Sequence, residues 1–413
     1  MILRAAASAL RGSAATDTGR GYETTWHSLV PTDPVPLRVR TASEGAARPA
    51  VCQVHDGDRL VLTLKEAGDQ GDPAGERVAP RFLPEFRPLA RTAVDRLSAA
   101  GLDALARGDF AAVFGSAFDQ SRLEPPLLPE KWPERLLEDI ATIAPRGGRC
   151  RQGLLTVSTG ALGSPAWPAL VAAVTEVLRV YAFHRGMHLC LPGAHVVPLP
   201  GATARIEVHD ARALRDAALL LTVEVSAMGM MPRPYVTADC DVTTPSGQLV
   251  ARVSGLGVAV YGRPEQDGML HIEQAACRST AAGGGALFNE LHMAHAAEGD
   301  MAQFMMASGG QGSVSDVRPR LPRGDFLMID RGAGIEHGTG KDAVGTCLTT
   351  EYDMPEEPWY ARENGTGDVP TLALMEIALQ PAGLLSGIAL GVTLQYPDQG
   401  FVCRNLDGWG GGC

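Results

Sequence analysis

A long apolar helical run followed by alternating segments constrains this chain more than any other feature of its sequence. The run Ala169–His188 is predominantly apolar and predicts a helix that is buried on most sides. The segments after it alternate apolar and polar residues, which predicts strands with one buried face: Ala204–Val208, Leu219–Met228, Tyr235–Thr243 and Gln248–Tyr261. A helix followed by antiparallel strands predicts an α+β fold of the hot-dog type, in which the sheet wraps around the helix.

An internal repeat indicates that the chain contains this arrangement twice. The stretches LARGDFAAVFG (105–115) and HAAEGDMAQFM (295–305) share Ala-x-Gly-Asp-x-Ala, with Asp109 and Asp300 at matching places. Copies separated by so long an interval predict tandem domains rather than a solenoid. The predicted organisation is the last strands of a preceding hot-dog-like unit plus a linker (1–80), a first unit (81–265), a Gly-rich linker (266–286) and a second unit (287–413).

The second unit is predicted to be incomplete at its C-terminus. It has a helix at Phe288–Met306, a strand near Cys347–Tyr352 and an apolar helix at Thr371–Ala389, and few strands can follow. Such a helix without most of its sheet leaves apolar surface exposed. We therefore expect either a fragment or frameshift, or a partner that supplies the missing strands.

The apolar helix of the second unit carries the candidate site. Glu376 stands in an apolar run, four residues before Gln380, so the carboxyl and the amide share one face of the helix. A carboxyl on an apolar face is costly unless it is paired or protonated. The alternative is a solvated glutamate on a core helix with no role.

Charge, cysteines and hydropathy exclude several functional classes. The net charge of -11 argues against nucleic acid or an anionic membrane as a partner. The eight cysteines form no CxxC pair and no spacing typical of a metal site, which predicts reduced thiols in a cytoplasmic protein. We expect no cofactor, no metal and no apolar run long enough to span a membrane.

The segment EYDMPEEPWYARENGTGDVPTLALMEIALQPAG (351–383) and the segment MGMMPRPYVTADCDVTTPSGQLVARVSGLGV (228–258) resemble the dehydratase region of polyunsaturated fatty acid synthases. More distantly they resemble the bacterial 3-hydroxydecanoyl-ACP dehydratase. The resemblance implies tandem hot-dog units that remove water from a 3-hydroxyacyl thioester to give a 2-enoyl thioester. It also implies a substrate carried on the phosphopantetheine arm of an acyl carrier protein, with other synthase domains or subunits as partners, in a pseudo-dimer or homodimer.

The resemblance assigns roles to the acid half of the site. In that family a neutral histidine from one unit removes the α-proton and a carboxylic acid from the other protonates the departing hydroxyl. The acid falls on Glu376, and the glutamine that hydrogen-bonds it falls on Gln380. Pro370, six residues before Glu376, matches the proline that closes the family's active-site loop.

The position of the family's catalytic histidine, which acts as the base, departs from the family pattern in this sequence. The loop that carries the family's histidine reads STGALGSPAWPALVAAVTEVL (158–178) here, without a histidine, and the acid position of this first helix falls near Ala172. His184 and His188 lie too late on the helix to replace it, and we interpret them as helix-end residues. His292 and His295 are interpreted as structural residues of an entry helix, and His195 and His209 are assigned no role.

Three functions remain open on the sequence alone. The first is a 3-hydroxyacyl-ACP dehydratase with a degenerate site that lacks the histidine. The second is a catalytically silent hot-dog pseudo-dimer that binds acyl chains or acts as a scaffold. The third is a hot-dog acyl thioesterase in which Glu376 activates water. The surrounding sequence favours the dehydratase family, with doubtful activity for the isolated chain.

Overall fold

The computed structural model describes residues 21–27, 37–42, 51–67, 86–119, 136–146, 152–163, 166–262, 270, 272, 275, 280–301, 304, 320–338, 345–365 and 367–390. The chain forms two compact units, Met1–Leu270 and His271–Cys413. Each unit combines helices with antiparallel strands, so the predicted α+β class with a sheet around a helix is confirmed.

In its described residues, the first unit contains one large antiparallel sheet and four α-helices. Its helices are α1 (Ala99–Ala106), α2 (Phe110–Phe114), α3 (Ala166–His184) and α4 (Ala211–Asp216). Its strands are β1 (Gly21–Trp26), β2 (Leu37–Ala42), β3 (Val51–Asp56), β4 (Arg59–Ala67), β5 (Leu137–Ala144), β6 (Leu154–Thr159), β7 (His195–Pro198), β8 (Thr203–Val208), β9 (Leu219–Gly229), β10 (Tyr235–Thr243) and β11 (Leu249–Tyr261). The strand order is β2-β3-β4-β1-β8-β11-β10-β9-β6-β5, and β7 also pairs with β11.

Helix α3 is the core of the first unit because it has almost no polar face. All but three of its residues are buried, and it packs against β5, β9, β10 and β11. The strands present alternate side chains to it, as in β10, where buried and half-buried residues alternate throughout. The helix ends where Gly186 adopts a left-handed conformation with φ of 71°.

The expectation that no run has the length of a membrane span was wrong for α3. By its length and composition alone, this helix is long and apolar enough to cross a membrane. Most of it is buried inside the protein, which is also how the central helix of a sheet-wrapped core behaves.

The N-terminal strands belong to the same sheet as the rest of the first unit. A hairpin around Asp56-Gly57-Asp58 joins β3 to β4. Strand β1 pairs with β4 on one side and with β8 on the other, so the sheet is continuous from β2 to β5. Whether 1–80 derives from a preceding unit stays a prediction.

The second unit is smaller in the part of the chain that the structure describes. It has α5 (Glu290–Glu298), α6 (Trp359–Glu363), α7 (Thr371–Leu390) and a two-stranded antiparallel sheet of β12 (Arg331–Glu336) and β13 (Cys347–Glu351). Helix α7 packs beside β13. The predicted incompleteness of this unit concerns the chain after residue 390, which lies outside the described residues.

Candidate functional site

Helix α7 begins directly after Pro370, as the sequence predicts. The backbone N–H groups of Ala373 and Leu374 donate to the Pro370 carbonyl, at 2.9 and 3.3 Å, and close the first turn. Glu376 therefore lies in the second turn of the helix. Pro381 lies inside the helix, and because proline has no N–H it leaves the carbonyl four residues earlier without its helical donor.

The predicted pairing of Glu376 with Gln380 is present. Gln380 Nε2 donates to Glu376 Oε1 over 3.0 Å. Gln380 is buried, whereas Glu376 is half-buried rather than largely buried as expected. The carboxyl is therefore held by the amide on one oxygen and remains reachable from solvent.

Backbone groups on both sides fix the orientation of the Gln380 amide. The Met328 N–H donates to Gln380 Oε1 over 2.8 Å, and Gln380 Nε2 donates to the Phe326 carbonyl over 2.7 Å. Because a backbone N–H only donates, the oxygen of the amide must face Met328 and the nitrogen must face Glu376. Gln380 thus presents an N–H to the carboxyl in one fixed orientation.

A buried ion cluster lies in the strands of the same unit. The guanidinium of Arg331 contacts Glu290 at 3.2 Å, Glu351 at 3.1 Å and Asp353 at 2.8 Å, and its side chain is only 6% exposed. Burial by itself lowers the pKa of Arg331, but the hydrogen bonds and charges of the three carboxylates outweigh it and raise the pKa above its ordinary value. The cation is therefore permanent and joins α5 to β12 and β13.

The histidines of α3 and its C-terminal turn lie in an aromatic core. The Nε2–H of His184 donates to the Val94 carbonyl over 2.8 Å, and its ring stacks on Tyr181. Burial lowers the pKa of His184 to about 4. The ring of His188 packs against Phe110, Phe118 and Phe183. Both histidines are thus buried packing residues of the first unit.

The histidines of α5 serve the local fold. His292 Nδ1 accepts from the Asn289 N–H over 3.1 Å and completes a capping box at the start of α5. Burial, together with the nearby His295, lowers the pKa of His292 to about 4. His295 Nδ1 accepts from the Asp300 N–H over 3.1 Å. Within the described residues, no hydrogen bond joins a histidine to Glu376.

Helix α3, the central helix of the first unit, carries an acidic residue that sequence reasoning missed. Ala172, at the expected acid position, is exposed, but Glu176 one turn later is buried. Glu176 Oε2 accepts from the Leu136 N–H over 3.2 Å. Its place in an apolar helix was the available signal, and it was overlooked because the resemblance directed attention to position 172.

The described part of the chain contains no group of three or more histidine, cysteine, aspartate or glutamate side chains that could hold a metal ion. The chemistry that the site offers is proton transfer. One oxygen of Glu376 accepts from Gln380, and the other can give a proton to, or take one from, a group arriving from solvent.

Comparison with known proteins gives matches among solved structures. No family model matches the chain, and no curated protein matches it. The dehydratase domain from the CurJ module of curacin polyketide synthase is 16% identical, with a TM-score of 0.37 over 63% of this chain and 80% of that chain. The dehydratase domain of PpsC from Mycobacterium tuberculosis is 17% identical, with a TM-score of 0.34 over 62% and 81%. That of RzxB from Pseudomonas fluorescens is 16% identical, with a TM-score of 0.33 over 62% and 82%. The solved structures that this chain resembles are thus dehydratase domains, the first of them from a polyketide synthase, at low identity and low TM-score.

Proposed function

We propose that this chain is a dehydratase-type protein acting on 3-hydroxyacyl thioesters that an acyl carrier protein delivers on its phosphopantetheine arm. The observation that carries the proposal is the geometry of Glu376 and Gln380. The carboxyl is half-buried, one of its oxygens accepts from Gln380, and Gln380 is itself held by backbone groups of Phe326 and Met328. A general acid needs this combination of fixed orientation and access to substrate.

In the proposed reaction, Glu376 supplies the acid half. A base takes the α-proton, the electron pair forms the new carbon–carbon double bond, and the bond between the β-carbon and the hydroxyl breaks. Glu376 gives its proton to the departing hydroxyl, which leaves as water, and the product is a 2-enoyl thioester. In this proposal the base comes from a partner chain, since within the described residues no hydrogen bond joins a histidine to Glu376, and His292 and His295 of the same unit are buried in the local fold.

A catalytically silent acyl-binding or scaffold protein is the second candidate. It is favoured by the burial of His184, His188, His292 and His295, which leaves Glu376 without a histidine bonded to it in the described residues. The two candidates differ in whether Glu376 matters for turnover.

The test compares Glu376→Gln with Glu363→Gln, a control that removes an exposed carboxyl of the same unit. Turnover of a 3-hydroxydecanoyl thioester is followed by the ultraviolet absorbance of the enoyl product. Loss of an acid costs about 10²–10⁴-fold, so we expect Glu376→Gln to lose the residual turnover and the control to keep it. Equal turnover in all three proteins would refute the proposed role of Glu376.

A further inference from the structure

We infer that Trp359 is a positioning residue for the acid half of the site, acting through the turn Gly324–Phe326 and Gln380. The inference rests on the proposed function only for its effect on turnover. The physical link itself is a continuous series of contacts from the indole ring to the carboxyl of Glu376, all within the second unit.

The first contacts in the series join Trp359 to the turn. The indole Nε1–H donates to the Asp325 carbonyl over 3.0 Å. The indole ring also meets the ring of Phe326 edge to face, with centroids 4.8 Å apart and planes inclined at 61°. Trp359 thus makes both a hydrogen bond and an aromatic contact with the same short turn.

Trp359 itself has a firm support. It packs on a buried cluster formed by Met328, Tyr360, Ala361 and Ala373, which joins α6 to the buried face of α7. Phe326, in contrast, is 56% exposed, so burial contributes little to holding it in place. The turn is therefore held from one side by Trp359 and from the other by Gln380.

The remaining contacts transmit that position to the acid. The Phe326 carbonyl accepts from Gln380 Nε2 over 2.7 Å, and the same nitrogen donates to Glu376 Oε1 over 3.0 Å. A displaced turn would withdraw the carbonyl that orients Gln380, and Gln380 would lose its fixed direction toward Glu376. Proton transfer tolerates about 1 Å of misplacement before the rate falls steeply.

Trp359→Phe tests the inference because phenylalanine keeps an aromatic ring but removes the indole N–H. The first readout is hydrogen exchange of the Gln380 side-chain amide by nuclear magnetic resonance on protein labelled with ¹⁵N-glutamine. We expect exchange to become about fivefold faster, the size of effect that loss of one hydrogen bond produces. Tyr352→Phe is the matched control, since it removes a hydroxyl contact with Tyr360, at 3.4 Å, in the same aromatic group.

The second readout is a double-mutant cycle on turnover of the 3-hydroxydecanoyl thioester. We expect Trp359→Phe to lower kcat about tenfold with KM little changed. We also expect the double variant, with Trp359→Phe and Gln380→Ala, to have the same kcat as Gln380→Ala alone. Both substitutions act on the same contact, that of Gln380 with Glu376. Additive losses, or unchanged Gln380 exchange in Trp359→Phe, would overturn the inference. If the wild-type protein shows no turnover, the proposed function fails, and the exchange measurement still decides the role of Trp359.

Discussion

Helix α3 and helix α7 are both long and apolar, yet the protein covers them to very different extents. All but three residues of α3 are buried beneath the large sheet. On α7, Leu372 is 74% exposed, Met375 53% and Leu379 39%. Within the described residues, all the exposed large hydrophobic side chains lie in the second unit. The same type of helix is therefore a closed core in one unit and an open face in the other.

The difference also separates two glutamates that have similar sequence surroundings. Glu176 on α3 is buried and accepts from a backbone N–H, so it serves the packing of the first unit. Glu376 on α7 stands at the border between the buried face of Gln380 and the exposed face of Leu372 and Leu379. Of the two glutamates, only Glu376 combines a fixed side-chain partner with access from solvent.

The largest expected effect concerns the stability of the second unit. Because its helix α7 is partly exposed, we expect the buried Arg331 ion cluster to contribute much of that stability. We expect Arg331→Met to destabilise that unit by about 3–5 kcal/mol, because it leaves Glu290 and Glu351 without their buried cation. Urea unfolding followed by circular dichroism measures it. Arg215→Met, which removes an exposed pair with Asp216, is the control and should change stability by less than about 0.5 kcal/mol. Similar small effects for both would mean that the cluster is not what holds this unit.

The next prediction compares the loss of stability caused by a leucine-to-alanine substitution on α3 with that caused by the same substitution on α7. Leu178→Ala on α3 removes a fully buried side chain and should cost about 2–5 kcal/mol. Leu379→Ala on α7 removes an exposed one and should cost less than about 0.5 kcal/mol. Urea midpoints of the two variants check this. A large loss for Leu379→Ala would show that α7 is covered in solution.

A smaller effect concerns the dependence of stability on pH, to which the buried His184 of the first unit and the buried His292 of the second unit both contribute. The pKa of His184 is about 4 in the folded protein because of burial, against an ordinary value near 6.5. Between these values the unfolded chain binds more protons, so stability is full above about pH 6.5 and falls as the pH drops toward 4, by up to about 1.4 kcal/mol per pH unit for this group.

We expect His184→Leu to flatten this slope in unfolding experiments across that pH range. His209→Gln, which changes an exposed histidine, serves as the control and should keep the slope. An unchanged slope in His184→Leu would contradict the account of His184 as a neutral core residue.

The sequence predicted the regular elements well because their patterns are local. The strand at Tyr235–Thr243 has the predicted bounds, and the predicted helix Thr371–Ala389 extends one residue further. Between Ala93 and Phe114, by contrast, a glycine interrupts the helical stretch, and the chain forms two helices, Ala99–Ala106 and Phe110–Phe114. Gly108 at φ of 83° ends the first, and the Asp109 side chain caps the second.

The candidate site was predicted only where its residues are close in sequence. The spacing of Glu376 and Gln380 predicts their contact, because side chains four residues apart lie next to each other on the surface of a helix. The contacts of Gln380 with Phe326 and Met328 join residues more than fifty positions apart. Those contacts, like the four side chains of the Arg331 cluster, depend on tertiary packing that no local pattern encodes.

The central claim is that α7 carries a working acid whose base is supplied from elsewhere, and chemical rescue tests it most directly. Dehydration of the 3-hydroxydecanoyl thioester is measured with increasing imidazole, a small base that can take the α-proton of a thioester bound beside the half-buried Glu376. Without imidazole we expect the chain to be at least ~10²-fold slower than a complete dehydratase, since a missing general base costs that much. The rate should rise with imidazole in the wild-type protein and stay flat in Glu376→Gln. Full activity without imidazole that Glu376→Gln abolishes would contradict the claim and place the base within this chain.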